Sequence, residues 1–412
     1  MNRPLKIGLL CLSFLVLGYA GLGHVLGKTG DEKAYRSLIV YSEVLQKIQQ
    51  DYVDEPNLPM VTAGALHGLL ESLDAQSSYL TPREYADYRQ KLESGKPGET
   101  GVTLSKRYGY IVVVSVLADS AAQKGGLRSG DILEAIAGFT TRDMSVGQAL
   151  NLLLGDPGTG VKVTVVRRGR SQPLEVELIR ARPIPQKMVS EKIDPDILVL
   201  RLVTLESGRS EEVRERLSQA ARQGVRKVIV DVRDCGRGDV REAEGIARLF
   251  LTSGTIATLR GQTVARETIS ADPAKVVWRE PVSVLISSTT SGAAELLATA
   301  IGGNKRGDVV GERTFGLASE QKLIPLEDGG AVILTVANYF ANGSEKPILE
   351  EGVAPTFVVR AATEDDSAAA DDDTAAVTPP KEAPAAPSPL SPDDPVLRKA
   401  IELLKAPAQK AA

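Results

Sequence analysis

The sequence of 412 residues is poor in several residue types that build common sites, with two cysteines, two histidines and 4% aromatic residues. Cys11 lies in an apolar N-terminal stretch, so only Cys235 remains in the body of the chain and a disulfide scaffold is excluded. His24 and His67 are too few for a histidine-rich zinc site, and they argue against a Ser-His-Asp triad. The 49 basic and 53 acidic residues give a formal charge of −4, without the basic footprint of a nucleic-acid-binding protein. We therefore expect no nucleic-acid partner, no metal site and no cofactor.

The N-terminus carries a segment of the kind that directs proteins to a membrane. Arg3 and Lys6 precede an uncharged run over residues 7–26, and this order is typical of a signal peptide or a signal anchor. The run has about the length of a bilayer-spanning helix and is not closed by a clear small-x-small cleavage site, which favours an uncleaved anchor over residues 1–28. With the positive flank inside, we expect the rest of the chain to face the periplasm from a bacterial inner membrane, or to be released there if the segment is cleaved.

The C-terminal part of the chain changes to low complexity. Residues 361–394 are rich in Ala, Pro and Asp, a composition that buries too little apolar surface to fold, so we expect a disordered acidic linker. Asp394-Pro395 then opens a short amphipathic helix within residues 395–412. The pattern is compatible with a docking helix and with a frayed tail.

Residues 29–95 are expected to form a helical region. Apolar residues recur at steps of three and four between residues 35 and 53, which predicts an amphipathic helix. A second helix is predicted over residues 60–73, and His67 on that helix is interpreted as a structural residue. The apolar positions of the first helix are Leu38, Tyr41, Leu45, Ile48 and Tyr52.

The sequence pattern of residues 96–183 is typical of a small β-rich domain with one helix. Short β-branched runs alternate with glycine turns, and residues 125–131, Gly-Gly-Leu-Arg-Ser-Gly-Asp, resemble the glycine-aspartate turn of PDZ domains. The resemblance implies capture of a peptide's C-terminal carboxylate by β-augmentation. The loop for that carboxylate would consist of Gly101, Val102, Thr103 and Leu104, with Thr103 where the family shows a second glycine. A PDZ fold that serves only as a spacer is the alternative.

Residues 184–360 alternate strand and helix patterns, which favours an α/β layer with a partly parallel sheet. The whole chain is therefore expected to be an α+β multidomain protein with a helical N-terminal region, a PDZ domain and an α/β core. The strands are predicted over residues 197–202, 225–232 and 282–286, and the helices over residues 211–222, 242–250 and 291–301.

The order of these parts is similar to that of the carboxyl-terminal processing peptidases, the tail-specific serine proteases. The resemblance implies an enzyme that threads an unfolded C-terminal tail past the PDZ domain and cuts it with a Ser-Lys dyad assisted by Gln. It rests on several motifs in family order: Gln-Gln-Asp-Tyr-Val-Asp at residues 49–54, Leu-Asp-Ala-Gln-Ser-Ser-Tyr-Leu at 73–80, Val-Asp-Val-Arg at 230–233, Gly-Glu-Arg-Thr-Phe-Gly at 311–316 and Ile-Pro-Leu-Glu-Asp-Gly at 324–329.

The residues that this family uses for catalysis are replaced. By the resemblance, the nucleophile position is Gly292 and the general-base position is Leu317, while the third member, Gln321, is retained. The oxyanion region, usually Asn-Asn-Pro-Gly-Gly, reads Asp-Cys-Gly-Arg-Gly at residues 234–238. Glycine offers no nucleophile and leucine no lone pair, so the ancestral mechanism is expected to fail.

Three functions follow as alternatives. The leading hypothesis is a pseudoprotease of the cell envelope that binds protein C-terminal tails or a partner such as an active relative, with self-association also open. The second is an active serine endopeptidase with a rearranged site, in which Ser291 replaces the nucleophile and Lys305 or Lys322 supplies the base. The third is a purely structural envelope protein. Cys235 is interpreted as a buried small residue.

Overall fold

The computed structural model describes residues 31–93, 95, 97–360, 390–391 and 393–406. The predicted membrane segment, residues 1–28, lies outside the described residues, as does most of the predicted linker. None of the helices in the described ranges combines the length and the hydrophobicity needed to cross a bilayer. The chain divides into two compact units, residues 1–65 and residues 66–412.

The described part of the first unit consists of helix α1 (Asp31–Asp51) and the first part of helix α2 (Leu58–Glu71). Both predicted helices are thereby confirmed. Helix α1 has the predicted apolar face, but Leu38 and Tyr41 on that face are 63% and 38% exposed, and Tyr52 lies just beyond the end of the helix.

The second unit begins with the end of α2, strand β1 (Ser78–Leu80) and helix α3 (Pro82–Glu93). Thr81 and Glu84 form a capping box at the start of α3, because the amide of each donates to the side chain of the other, over 2.8 and 3.3 Å. Strand β1 is buried and pairs antiparallel with residues 331–333. The region predicted as helical therefore also contributes a strand to a later sheet.

His67 has the structural role expected of it. Its ring packs edge-on against Tyr79, with 5.5 Å between the ring centroids, and burial lowers the pKa of His67. The Tyr79 hydroxyl in turn donates to Asp328 over 3.0 Å.

The segment after α3 folds into an antiparallel sheet of strand order β2-β3-β4-β6-β7, with β5 beside β4. Asp131 follows the turn at Gly130, which has a φ of 85°, and accepts from the Arg167 guanidinium over 2.7 Å. Ser145 and Gln148 form the capping box of helix α5. The elements are β2 (Val102–Arg107), β3 (Tyr110–Val116), α4 (Ala121–Lys124), β4 (Ile132–Ile136), β5 (Phe139–Thr140), α5 (Val146–Leu153), β6 (Gly160–Val166) and β7 (Leu174–Ile179).

The core is built on a second sheet, whose strand order is β17-β14-β13-β10-β9-β8. Strands β9, β10, β13, β14 and β17 run parallel, and β8 is antiparallel to β9, so the predicted partly parallel sheet is confirmed. Its elements are β8 (Val189–Asp194), β9 (Ile197–Arg201), α6 (Arg209–Arg222), β10 (Lys227–Asp231), α7 (Val240–Arg248), β13 (Val282–Ile286), α8 (Ala293–Gly303), β14 (Asp308–Gly311) and β17 (Phe357–Val358).

A third sheet flanks this core and carries strand β1 at one end. Its order is β1-β16-β11-β12, and β15 pairs along the other side of β16. The β15–β16 register shifts between Glu320 and Gln321. The strands are β11 (Thr255–Arg260), β12 (Glu267–Ser270), β15 (Ser319–Pro325) and β16 (Ala331–Phe340).

Helix α9 (Pro395–Lys405) covers the face of the parallel sheet opposite α6, α7 and α8. Leu397 and Leu404 pack with Ile229 and Val310 of the sheet. Asp394 caps the helix by accepting from the amide of Val396 over 3.0 Å, and its other oxygen pairs with the buried Arg233. The docking interpretation of this helix is confirmed.

We expect Leu397→Ala to lower the free energy of unfolding by about 2–5 kcal/mol, because it truncates a buried leucine at this contact. Urea unfolding of the soluble protein measures the effect. Arg398→Ala, on the exposed side of the same helix, is the matched control and should change stability by less than about 0.5 kcal/mol. Equal effects of the two substitutions would show that α9 does not dock in this way.

Candidate functional site

A sharp strand-to-helix turn places Gly292 at the start of helix α8. Gly292 has φ 62° and ψ −127°, a conformation in which any other residue is strained. Hydrolases use such a turn to expose a nucleophile above a sheet. A Cβ built on Gly292 would meet no heavy atom within 4 Å. The turn therefore offers room for a side chain that glycine does not supply.

One buried carboxylate, that of Glu295, joins this turn to the loop of residues 314–318. Its oxygens accept from the amides of Gly292 (2.9 Å), Gly316 (2.7 Å), Leu317 (2.8 Å) and Ala318 (3.1 Å) and from the Thr314 hydroxyl. Burial raises the pKa of Glu295 to about 7, and the donated hydrogen bonds oppose this shift. The carboxylate thus fixes the two segments against each other.

Gly292 and Leu317, the positions that the family resemblance assigns to the dyad, are brought together by this contact. Their amide nitrogens both donate to Oε2 of Glu295, so they lie within about 6 Å of each other. Gln321 lies four residues further, on strand β15, with its side chain exposed. The side chains at these two positions, glycine and leucine, can neither donate nor accept a proton.

The loop of residues 234–238 lies beside the turn. Asp234 has a φ of 62° and accepts from the Thr289 hydroxyl over 2.9 Å. The Cys235 carbonyl accepts from the amide of Ser291 over 3.0 Å. Arg237 forms a bidentate pair with Glu99, in which Nη2 and Oε2 are 2.9 Å apart.

The candidate nucleophiles Ser291 and Cys235 and the candidate base Lys305 are poorly placed for catalysis. Ser291 is 1% exposed, and its hydroxyl has no hydrogen-bond partner in the described structure, so nothing activates it. Lys305 follows the far end of α8, about 16 Å of helix from the turn. Cys235 is fully buried as predicted, and burial raises its pKa to about 12. The thiolate is therefore not accessible at neutral pH.

The predicted carboxylate loop is largely a strand. Only Gly101, with a φ of 80°, precedes β2. Val102, Thr103 and Leu104 pair with β3, and Leu104 is buried in the domain core. The expectation of a four-residue loop is therefore wrong for Val102 to Leu104, since the ladder with β3 begins directly after Gly101. Strand β2 is an edge strand of its sheet.

Comparison with known proteins finds the same two parts in the same order. The model of peptidase family S41 matches residues 196–359, and a PDZ domain model matches residues 112–167. The carboxy-terminal-processing protease of Bartonella bacilliformis is 27% identical over 353 residues, which cover 84% of this chain and 80% of the relative. The carboxy-terminal processing protease CtpA of Bacillus subtilis is 26% identical over 367 residues, 86% of this chain and 77% of the relative. Over most of its length the chain is similar to the carboxyl-terminal processing peptidases.

A solved structure with this similarity has the same fold. A solved structure of a photosystem II D1 C-terminal processing protease superposes with a TM-score of 0.64 at 23% identity, over 78% of this chain and 92% of that one. At the two positions that the family resemblance assigns to the dyad, this chain has Gly292 and Leu317.

Two residues of the site were not predicted from the sequence. Glu295 was not singled out, although a carboxylate inside the apolar helix sequence Ala-Ala-Glu-Leu-Leu-Ala is a signal for a buried role. Glu99 gave no local signal, because its partner Arg237 lies 138 positions further along the chain.

Proposed function

We propose that this chain is a pseudoprotease of the carboxyl-terminal processing family, which binds protein C-terminal tails and does not hydrolyse them. The observation that carries the proposal is the pair of amides, from Gly292 and Leu317, on one oxygen of Glu295. The backbone that would position a nucleophile and its base is kept. Both side chains that would perform the chemistry are missing.

The two substituted positions remove both groups that the dyad chemistry needs. A serine hydroxyl needs a base within hydrogen-bond reach to become a nucleophile, and a lysine serves as that base only when burial leaves it partly neutral. Loss of such a unit typically lowers turnover by about 10⁶-fold. Ser291 does not replace it, because its hydroxyl is buried and unpartnered among the described residues.

Retention of a binding function is supported by the PDZ domain. Among the described residues, strand β2 pairs with another strand along one edge only, which is the arrangement that β-augmentation by a peptide requires. In this proposal the peptide's carboxylate is bound at Gly101, just before β2, and at Val102, the first residue of β2. In this proposal the protein acts in the cell envelope, anchored by residues 1–28 and facing the periplasm, where it presents tails to an active relative or restrains that relative.

Tail binding is tested with a fluorescent peptide that ends in small apolar residues, prepared with a free and with an amidated C-terminus. We expect the soluble protein from about Lys28 to bind the free carboxylate at least about tenfold more tightly, a difference of about 1.4 kcal/mol. Val102→Glu places a negative charge beside the carboxylate and should weaken binding by a similar factor. Tyr108→Glu, 98% exposed in the turn after β2, is the control. Equal binding of both peptides, or none, would contradict the proposal.

A further inference from the structure

Two departures from the family pattern lie at one interface between the PDZ domain and the core. Thr103 stands where PDZ domains of the family show a glycine, and Arg237 stands in the altered oxyanion loop. The Thr103 hydroxyl donates to the carbonyl of Gly236 over 3.2 Å, and Arg237 pairs with Glu99 just before β2. Each changed residue therefore contributes a contact that its glycine counterpart could not make through a side chain.

The opposite end of β2 contacts the loop of residues 314–318, which contains Leu317. Arg107 donates to the carbonyl of Phe315 over 3.0 Å, and its guanidinium lies 3.9 Å from the centre of the Phe315 ring. Phe315 precedes Leu317 by two residues and belongs to the loop that Glu295 fixes. A single strand of the PDZ domain thus spans from the oxyanion loop to the base loop, about 13 Å over four residues.

The core and the PDZ domain are in close contact at Gly236. A Cβ at this position would lie 2.1 Å from the Ser115 hydroxyl and 3.0 Å from the Thr103 hydroxyl. Ser115 and Thr103 are paired across β3 and β2, so the loop packs on one face of the sheet and leaves no space for a peptide there.

We propose that the former oxyanion loop is now a clasp, formed by Glu99, Thr103, Gly236 and Arg237, that locks the PDZ domain onto the core. The functional part of this inference rests on the proposed tail binding: a tail binds at the free edge of β2 while the clasp stays closed. The loop that would stabilise a transition state has become an interdomain joint. The side chain of Arg237 is 39% exposed and that of Glu99 19%, so the ion pair is partly shielded from salt.

Hydrogen exchange of the soluble protein tests the clasp without reference to tails. We expect Glu99→Gln and Arg237→Gln each to speed amide exchange in residues 234–239 and 313–318 by about tenfold, with no further increase in the double variant. The exchanged pair Glu99→Arg/Arg237→Glu should restore protection, which a merely structural loss would not do. Glu211→Gln removes an exposed ion pair with Arg214 on α6 and is the control. Unchanged exchange in both single variants would overturn the clasp.

The same measurement with saturating tail peptide tests the locked state. Protection of residues 234–239 in the natural chain should stay the same when the peptide binds. Faster exchange on binding would overturn the lock, because it would show that the tail opens the interface. If no peptide binds, the proposed function fails, and the exchange of the two single variants still decides the clasp.

Discussion

The Gly292→Ser/Leu317→Lys double variant is expected to cleave an unstructured protein at least about 10³-fold faster than the natural chain. The expectation follows from the site's backbone, since Glu295 already holds both positions within hydrogen-bond distance of one oxygen. A complete dyad is worth about 10⁶-fold in turnover, and part of this gain is lost to the altered loop at Arg237. Mass spectrometry of the fragments measures the rate.

Serine at position 292 has room but is strained. The ideal Cβ has no neighbour within 4 Å, while the φ of 62° disfavours any side chain by about 1–3 kcal/mol. Gly292→Ala/Leu317→Lys is the matched control, because it carries the same strain and the same lysine without the hydroxyl. This control and both single revertants should remain inactive. A folded double revertant with no activity would contradict the claim that the dyad backbone is intact.

Glu295→Ala is expected to lower the free energy of unfolding by about 4 kcal/mol. The substitution leaves four amides and the Thr314 hydroxyl without their acceptor, and an unpaired buried donor costs about 1–3 kcal/mol. Some of these groups will find water, so the total is smaller than the sum of the parts. Urea unfolding measures the change.

Two further variants make this result specific. Glu295→Gln keeps the side-chain volume and one acceptor oxygen, but its NH2 group cannot accept from the surrounding amides. We therefore expect a loss in the free energy of unfolding that is smaller than that of Glu295→Ala. Glu327→Ala removes an exposed carboxylate and should change stability by less than about 0.5 kcal/mol. A loss below about 1 kcal/mol for Glu295→Ala would show that the carboxylate does not hold the site together.

Much of the fold could be predicted from local patterns. The strand Val282–Ile286 and the capped helix beginning at Pro395 carry their signals in adjacent residues, as buried β-branched runs and as an Asp-Pro start. Strand Ser78–Leu80 was not predicted, because its three residues gain their structure from pairing with residues 331–333. Pairing between segments so far apart in the sequence produces no local hydrophobic pattern from which the strand could be predicted.

The candidate site was predicted only where a motif marked it. Gly292, Leu317 and Gln321 came from comparison with the family pattern, and the structure places the first two together. The contacts of Glu295 and the Arg237–Glu99 pair depend on how distant segments pack, so no local pattern indicates them. For the same reason the burial of Ser291 could not be predicted from its place one residue before Gly292.

The proposed absence of catalysis is tested by measuring hydrolysis by the natural chain itself. The soluble protein and its Ser291→Ala variant are incubated at micromolar concentration with an unstructured protein in ¹⁸O-labelled water, and new C-termini are counted by mass spectrometry. We expect no labelled termini above the buffer control for either protein. Labelled termini that form with the natural chain and disappear with Ser291→Ala would contradict this expectation, because they would show an active peptidase with a relocated nucleophile.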